Sequence, residues 1–150
     1  MQSKEMYWIT KNLAVGGLSA VALTDQSTAV LNLCEDQSYR PPSADFSHNG
    51  FPDSQPFPLQ KVWECVRWIE QETSNGHKVL VHCAEGNSRS VSVVMAYLLY
   101  KGYSLDEAKK MIVTKKPFCT QGGRPTTEPQ YFQEEFLTQW QRYLREQNAS

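Results

Sequence analysis

The chain has 150 residues, 40% hydrophobic and 21% charged, with a formal net charge of -1 and an isoelectric point near 6.3. That length suits one domain built on a single hydrophobic core. No apolar run approaches the ~18 residues of a membrane-crossing helix, and the balanced charge offers no basic field to nucleic acid or anionic lipid. The expected partners therefore include neither.

The opening Met1-Gln2-Ser3-Lys4-Glu5-Met6 lacks the basic then apolar pattern of a secretory signal, so a cytoplasmic address is expected. Leu13-Ala14-Val15 reads as a strand, and Thr28 to Leu33 as a second one, apolar and β-branched like a buried strand. The proline-bearing stretch from Arg40 to Pro58 reads as a long loop holding a short extended piece. Leu59, Val62, Val66 and Ile69 then recur at helical spacing, which predicts a helix from Leu59 to Ser74 stopped by Asn75-Gly76. His77 to His82 is a buried strand running into Cys83. Val91, Val94, Met95 and Leu98 mark a buried helix from about Arg89 to near Gly102.

Ser104-Leu105-Asp106-Glu107 is a capping box, so a helix starts there and ends before Pro117. The basic pairs Lys109-Lys110 and Lys115-Lys116 read as solvated charge on that helix and at its end. Residues 117 to 127 read as a loop, and Phe132, Phe136, Trp140, Tyr143 and Leu144 define a final amphipathic helix. Strands first and alternating, helices later, make an α/β domain.

Four cysteines, Cys34, Cys65, Cys83 and Cys119, form no Cys-x-x-Cys pair, which speaks against a disulfide framework or a zinc site. Reduced thiols and no metal are expected. Cysteine six positions before arginine occurs twice, at Cys34 to Arg40 and at Cys83 to Arg89, so spacing does not choose between them. Chemistry does. A dianionic phosphate needs inward-facing backbone N–H groups, best supplied where a strand turns tightly into a helix N-terminus.

Around Cys83 an apolar strand precedes the loop Ala84-Glu85-Gly86-Asn87-Ser88, Gly86 permits a tight bend, and a helix begins at Arg89. The loop after Cys34 has no glycine, carries Glu35 and Asp36, and ends in Pro41-Pro42, which oppose a helix. The field that binds a dianion also favours a thiolate, the form of cysteine that attacks. Cys83 is thus the candidate nucleophile and Arg89, with its planar fork of donors, the phosphate clamp. Ser90 is placed to hydrogen-bond the thiolate. His82 is expected to fix the loop through backbone hydrogen bonds rather than to transfer protons. Cys34, Cys65 and Cys119 read as small buried apolar residues.

These residues, His82-Cys83-x-x-Gly86-x-Ser88-Arg89-Ser90 followed by Ala96-Tyr97-Leu98-Leu99, resemble the protein tyrosine phosphatase superfamily, nearest its small dual-specificity branch. Leu13 to Gly17, Val30-Leu31-Asn32-Leu33 and Ser104 to Ala108 fit that branch in order. The resemblance implies residues 1–150 as one phosphatase catalytic domain, with a central mixed, largely parallel sheet flanked by helices. It also implies a metal-free, cofactor-free reaction through a cysteinyl-phosphate, with the backbone of Ala84 to Ser88 and Arg89 binding phosphate. Its general acid is an aspartate on a mobile loop upstream of the cysteine. Phe51-Pro52-Asp53 resembles that loop, making Asp53 the candidate, with Asp45 as competitor.

Thr127 to Tyr131 resembles the segment that carries a water-positioning glutamine, here Gln130; the alternative is that Thr127 and Gln130 only cap the last helix. Glu85 opposes a second phosphate near the first, which points away from phosphoinositides. No segment resembles the aromatic motif that deepens tyrosine-only pockets, so phosphoserine and phosphothreonine are admitted beside phosphotyrosine. The expected partner is a phosphorylated protein or peptide, met by a monomer. A silent phosphoprotein-binding module, a phosphatase for a small non-protein phosphomonoester, and sulfur transfer or arsenate reduction through the same loop are the competing readings.

Overall fold

The structure is a computed structural model that describes residues 6–34, 45–51, 58–83, 89–116, 118–119, 125–126 and 134–149. In chain order these form β1 (Met6–Thr10), β2 (Leu13–Gly16), a 3-10 helix (Leu18–Leu23), β3 (Thr28–Cys34), β4 (Phe46–Phe51), α1 (Leu59–Ser74), β5 (Lys78–His82), α2 (Arg89–Tyr100) and α3 (Leu105–Lys115). β6 (Phe118–Cys119), β7 (Pro125–Thr126) and α4 (Glu134–Ala149) follow. The α/β class and the mixed, largely parallel sheet are as expected. Five strands lie in the order β1-β2-β5-β3-β4, with every pair parallel except β1 on β2.

Position in that sheet explains composition. β5 is central, covered on both faces, and its Val79, Leu80 and Val81 are all fully buried, as is every residue of β3 except the nearly buried Thr28. Alternate strand residues, among them Leu13, Val15, Leu31, Leu33, Val79 and Val81, share one core with α1, α2, α3 and α4. Ala14 and Leu80 face the other side, where Ala20 of the 3-10 helix covers them.

α1 buries Val62, Cys65, Val66 and Ile69 at helical spacing, whereas α2 is buried on nearly every side and has no polar face to lose. Both end alike. His77 N–H reaches Glu72 O at 3.0 Å and Gly76 N–H reaches Thr73 O; likewise Tyr103 N–H reaches Leu98 O at 3.2 Å and Gly102 N–H reaches Leu99 O. This paired bonding needs a left-handed residue after the helix, and Gly76 and Gly102 supply it with φ of 88° and 104°. α3 opens on the expected capping box, Glu107 N–H bonding Ser104 Oγ and Ser104 N–H bonding the Glu107 carboxylate.

One strand is new and two readings of the sequence are corrected. β1, rich in aromatic and β-branched residues, is an edge strand that no reading of the sequence anticipated. The stretch 117 to 127 is not loop throughout: Phe118 and Cys119 pair antiparallel with Thr126 and Pro125, two-residue strands being too short to show a period. Lys116 is not solvated. It is 4% exposed, its ammonium 5.5 Å from the Tyr7 ring centroid, because α3 packs against β1 and the ring face compensates part of the lost hydration.

Candidate active site

Parallel pairing puts the C-terminal ends of β3, β4 and β5 at one edge of the domain, where loops of such sheets gather functional groups. Cys83 follows β5 directly, is 3% exposed, and its N–H bonds Gly16 O of neighbouring β2. Seven residues on, in the first turn of α2, Ser90 Oγ lies 3.3 Å from Cys83 Sγ. That separation suits a hydroxyl donating to a thiolate. Arg89, the first residue of α2, is 8% exposed and donates from Nη1 to Phe51 O at 2.9 Å. The clamp candidate is therefore held by the last residue of β4, two positions before Asp53 in the chain.

His82 ends β5 with no exposed surface. Burial pushes its imidazole down to about 4, although the Cys83 carbonyl partly opposes this; His48 and the Arg89 cation add to the depression. A neutral ring therefore donates from Nδ1 to Cys83 O at 3.3 Å, which fits loop fixation and not proton transfer.

Asp45 lies at the opposite end of the sheet, just before β4, where its carbonyl accepts from Val30 N–H and its carboxylate from Phe46 N–H, each at 2.9 Å. There it adds to the burial that raises the Glu72 carboxyl, which in turn bonds His77 Nδ1 at 2.9 Å. Six strand residues at ~3.3 Å each separate Asp45 from the Phe51 end.

The remaining candidates, Asp53, the loop Ala84, Glu85, Gly86, Asn87 and Ser88, and Gln130, lie outside the described residues. Cys34 and Cys65 are buried and in no disulfide. Burial pushes Cys65 up to about 12, with Glu64 adding to it and Lys61 and Asn49 opposing, so it stays a thiol. Among the described residues no cluster of three His, Cys, Asp or Glu side chains could hold a metal, and no helix is long and apolar enough to cross a membrane.

A contact that the sequence reading missed lies beside Phe51. Lys61, in the first turn of α1, donates to Gly50 O and sets its ammonium 5.2 Å from the Phe51 ring centroid. The clue in the sequence is a cation in the first turn of a helix, a place that favours acids.

The family description of the dual specificity phosphatase catalytic domain matches residues 24–142. The chain belongs to that family. Dual specificity protein phosphatase 1 of Arabidopsis thaliana is 46% identical over 58 residues, 38% of this chain and 29% of that protein. Dual specificity protein phosphatase PHS1 of the same plant is 33% identical over 112 residues, 67% of this chain but 12% of that protein. The chain thus spans well under half the length of these relatives. Among solved structures, Tk-PTP in its active form superposes with a TM-score of 0.69 at 25% identity, covering 94% of this chain and 96% of that one. Human DUSP28 shares the fold with a TM-score of 0.71 at 22% identity, covering 94% and 99%.

Proposed function

We propose that the chain is a protein phosphatase that hydrolyses phosphotyrosine monoesters, with phosphoserine and phosphothreonine monoesters as further substrates, through a cysteinyl-phosphate. The observation that carries this reading is the pair Cys83 Sγ and Ser90 Oγ, 3.3 Å apart where a parallel strand gives way to a helix whose first residue is the buried Arg89. Membership of the dual specificity phosphatase family supports it.

In the first step the Cys83 thiolate attacks phosphorus, the S–P bond forms and the P–O bond to the leaving group breaks. Asp53 gives its proton to the departing oxygen, a contribution worth roughly 10²–10⁴-fold. Arg89 turns its fork to two equatorial phosphoryl oxygens, and the N–H groups of the loop Ala84 to Ser88 at the α2 N-terminus take the rest of the charge. In the second step water, aimed by Gln130, attacks phosphorus and gives its proton to the Asp53 carboxylate. Sulfur leaves as a thiolate to which Ser90 donates. Binding alone would need neither the thiolate nor the acid, which is why turnover is the better reading than passive capture.

The test is release of phosphate from p-nitrophenyl phosphate and from phosphopeptides at mildly acidic pH. Cys83→Ser should abolish turnover, and Asp53→Asn should remove the basic limb of the pH–rate profile. No release by the wild type, or full activity in Cys83→Ser, overturns the assignment.

A further inference from the structure

Lys61 breaks a local rule. It is the third residue of α1, whose first turn holds no acidic side chain, so its charge sits at the positive end of the helix dipole. A sequence that violates its own helix chemistry at one place does so most readily where function requires it. What Lys61 touches is informative. Its ammonium donates to Gly50 O and lies over the Phe51 ring, while the carbonyl of that same Phe51 accepts from Arg89 Nη1 at 2.9 Å.

Two cations from the starts of two helices therefore hold adjacent carbonyls at the end of β4, one from α1 and one from α2. Among the described residues β4 is an edge strand paired with β3, and its register shifts between the Asn32 and Cys34 positions, just before Phe51 meets Cys34. Side-chain contacts add to the ladder at this end.

We infer that Lys61 is a positioning residue of the phosphatase site: it pins Gly50 and Phe51, and through the Phe51 carbonyl it sets the direction of the Arg89 guanidinium. The role presupposes the phosphatase reading of Cys83 and Arg89 and adds to it a residue from α1. Lys61 itself touches no reacting atom. Its effect is on how well Arg89 is aimed when charge develops on the phosphoryl oxygens, so kcat and the hold on a transition-state analogue should move together, and KM less.

The experiment compares wild type with Lys61→Met, Lys61→Gln and Lys61→Arg in the full chain, each checked for folding by circular dichroism. Turnover of p-nitrophenyl phosphate and the orthovanadate inhibition constant are measured together. Lys61→Met and Lys61→Gln should lower kcat about tenfold and weaken vanadate by a similar factor, the scale of a small misplacement in a site. Lys61→Arg, which keeps a charged donor, should return most of both. If Lys61→Met does not fold, the polar Lys61→Gln carries the comparison. A folded variant that melts earlier but keeps its kcat and vanadate constant overturns the role. A wild type that releases no phosphate overturns the phosphatase reading instead, and vanadate affinity measured by calorimetry then decides whether Lys61 tightens the Arg89 hold on an oxyanion.

Discussion

His82 shows how a single buried residue sets conditions for the whole site. Its ring is held neutral in the folded chain, down to about 4, whereas an unfolded histidine titrates near 6.5. Above that unfolded value both states are neutral and the group is indifferent to pH. Between about 6.5 and about 4 the unfolded chain binds the proton more readily, so stability rises with pH across this window and falls as pH drops. Below it the penalty levels off, on the order of 3 kcal/mol. Urea unfolding at pH 7 and pH 5 should therefore show wild type losing about 2 kcal/mol from this group alone. His82→Asn should show that much less dependence on pH, and equal slopes in the two proteins would contradict a buried neutral ring. Assays at mildly acidic pH fall inside this window, so folding is to be checked at the assay pH.

Elements differ in how legibly the sequence writes them, and the site divides in the same way. α1 matches its expected bounds of Leu59 to Ser74, because four apolar residues at helical spacing and a glycine stop all point to one answer. β5 followed by α2 was equally clear, and with it the approach of Ser90 to Cys83, since an apolar strand and a buried helix are each written locally. Lys61 on Gly50 was not legible. That contact depends on the β3–β4 register and on where α1 docks, and neither is encoded within a short window. β1 escaped notice for a simpler reason: five residues beside the N-terminus show only half a pattern until β2 is there to pair with them. The helix stops allow a test free of side-chain packing. A Cβ at Gly102 meets nothing within 4 Å, so Gly102→Ala isolates the strain of φ at 104° and should cost about 1–2 kcal/mol. The urea midpoint should fall with the slope unchanged, and unaltered stability would mean that the α2 stop can be rebuilt without a left-handed residue.

At the scale of the molecule, α2 connects the reacting end to the rest, with Arg89 at its start and α4 packed on its flank. Trp140 makes that join. It is fully buried, donates from Nε1 to Ala96 O at 3.0 Å, and stacks on Tyr143 and Phe136 beside Trp63. Ala96 is seven residues along α2 from Arg89, roughly 10 Å at 1.5 Å per residue, far enough that small losses at Trp140 need not reach the phosphate clamp. The ring and its N–H can be separated by two substitutions. Trp140→Phe keeps an aromatic ring but leaves Ala96 O without its indole donor and opens a small void, for a cost of about 1–3 kcal/mol. Trp140→Ala removes the ring as well, for about 3–5 kcal/mol. For a chain of this length each kcal/mol moves the thermal midpoint by about 2–4 °C, so the alanine variant should melt some ~10 °C early and the phenylalanine variant only a few degrees. Where both remain folded at 25 °C, kcat on p-nitrophenyl phosphate should stay within about twofold of wild type, because the contacts of Cys83, Ser90 and Arg89 lie at the other end of the helix. A folded Trp140→Phe with kcat reduced tenfold would instead show that α4 helps aim α2, and that the site extends through the helix to its far side.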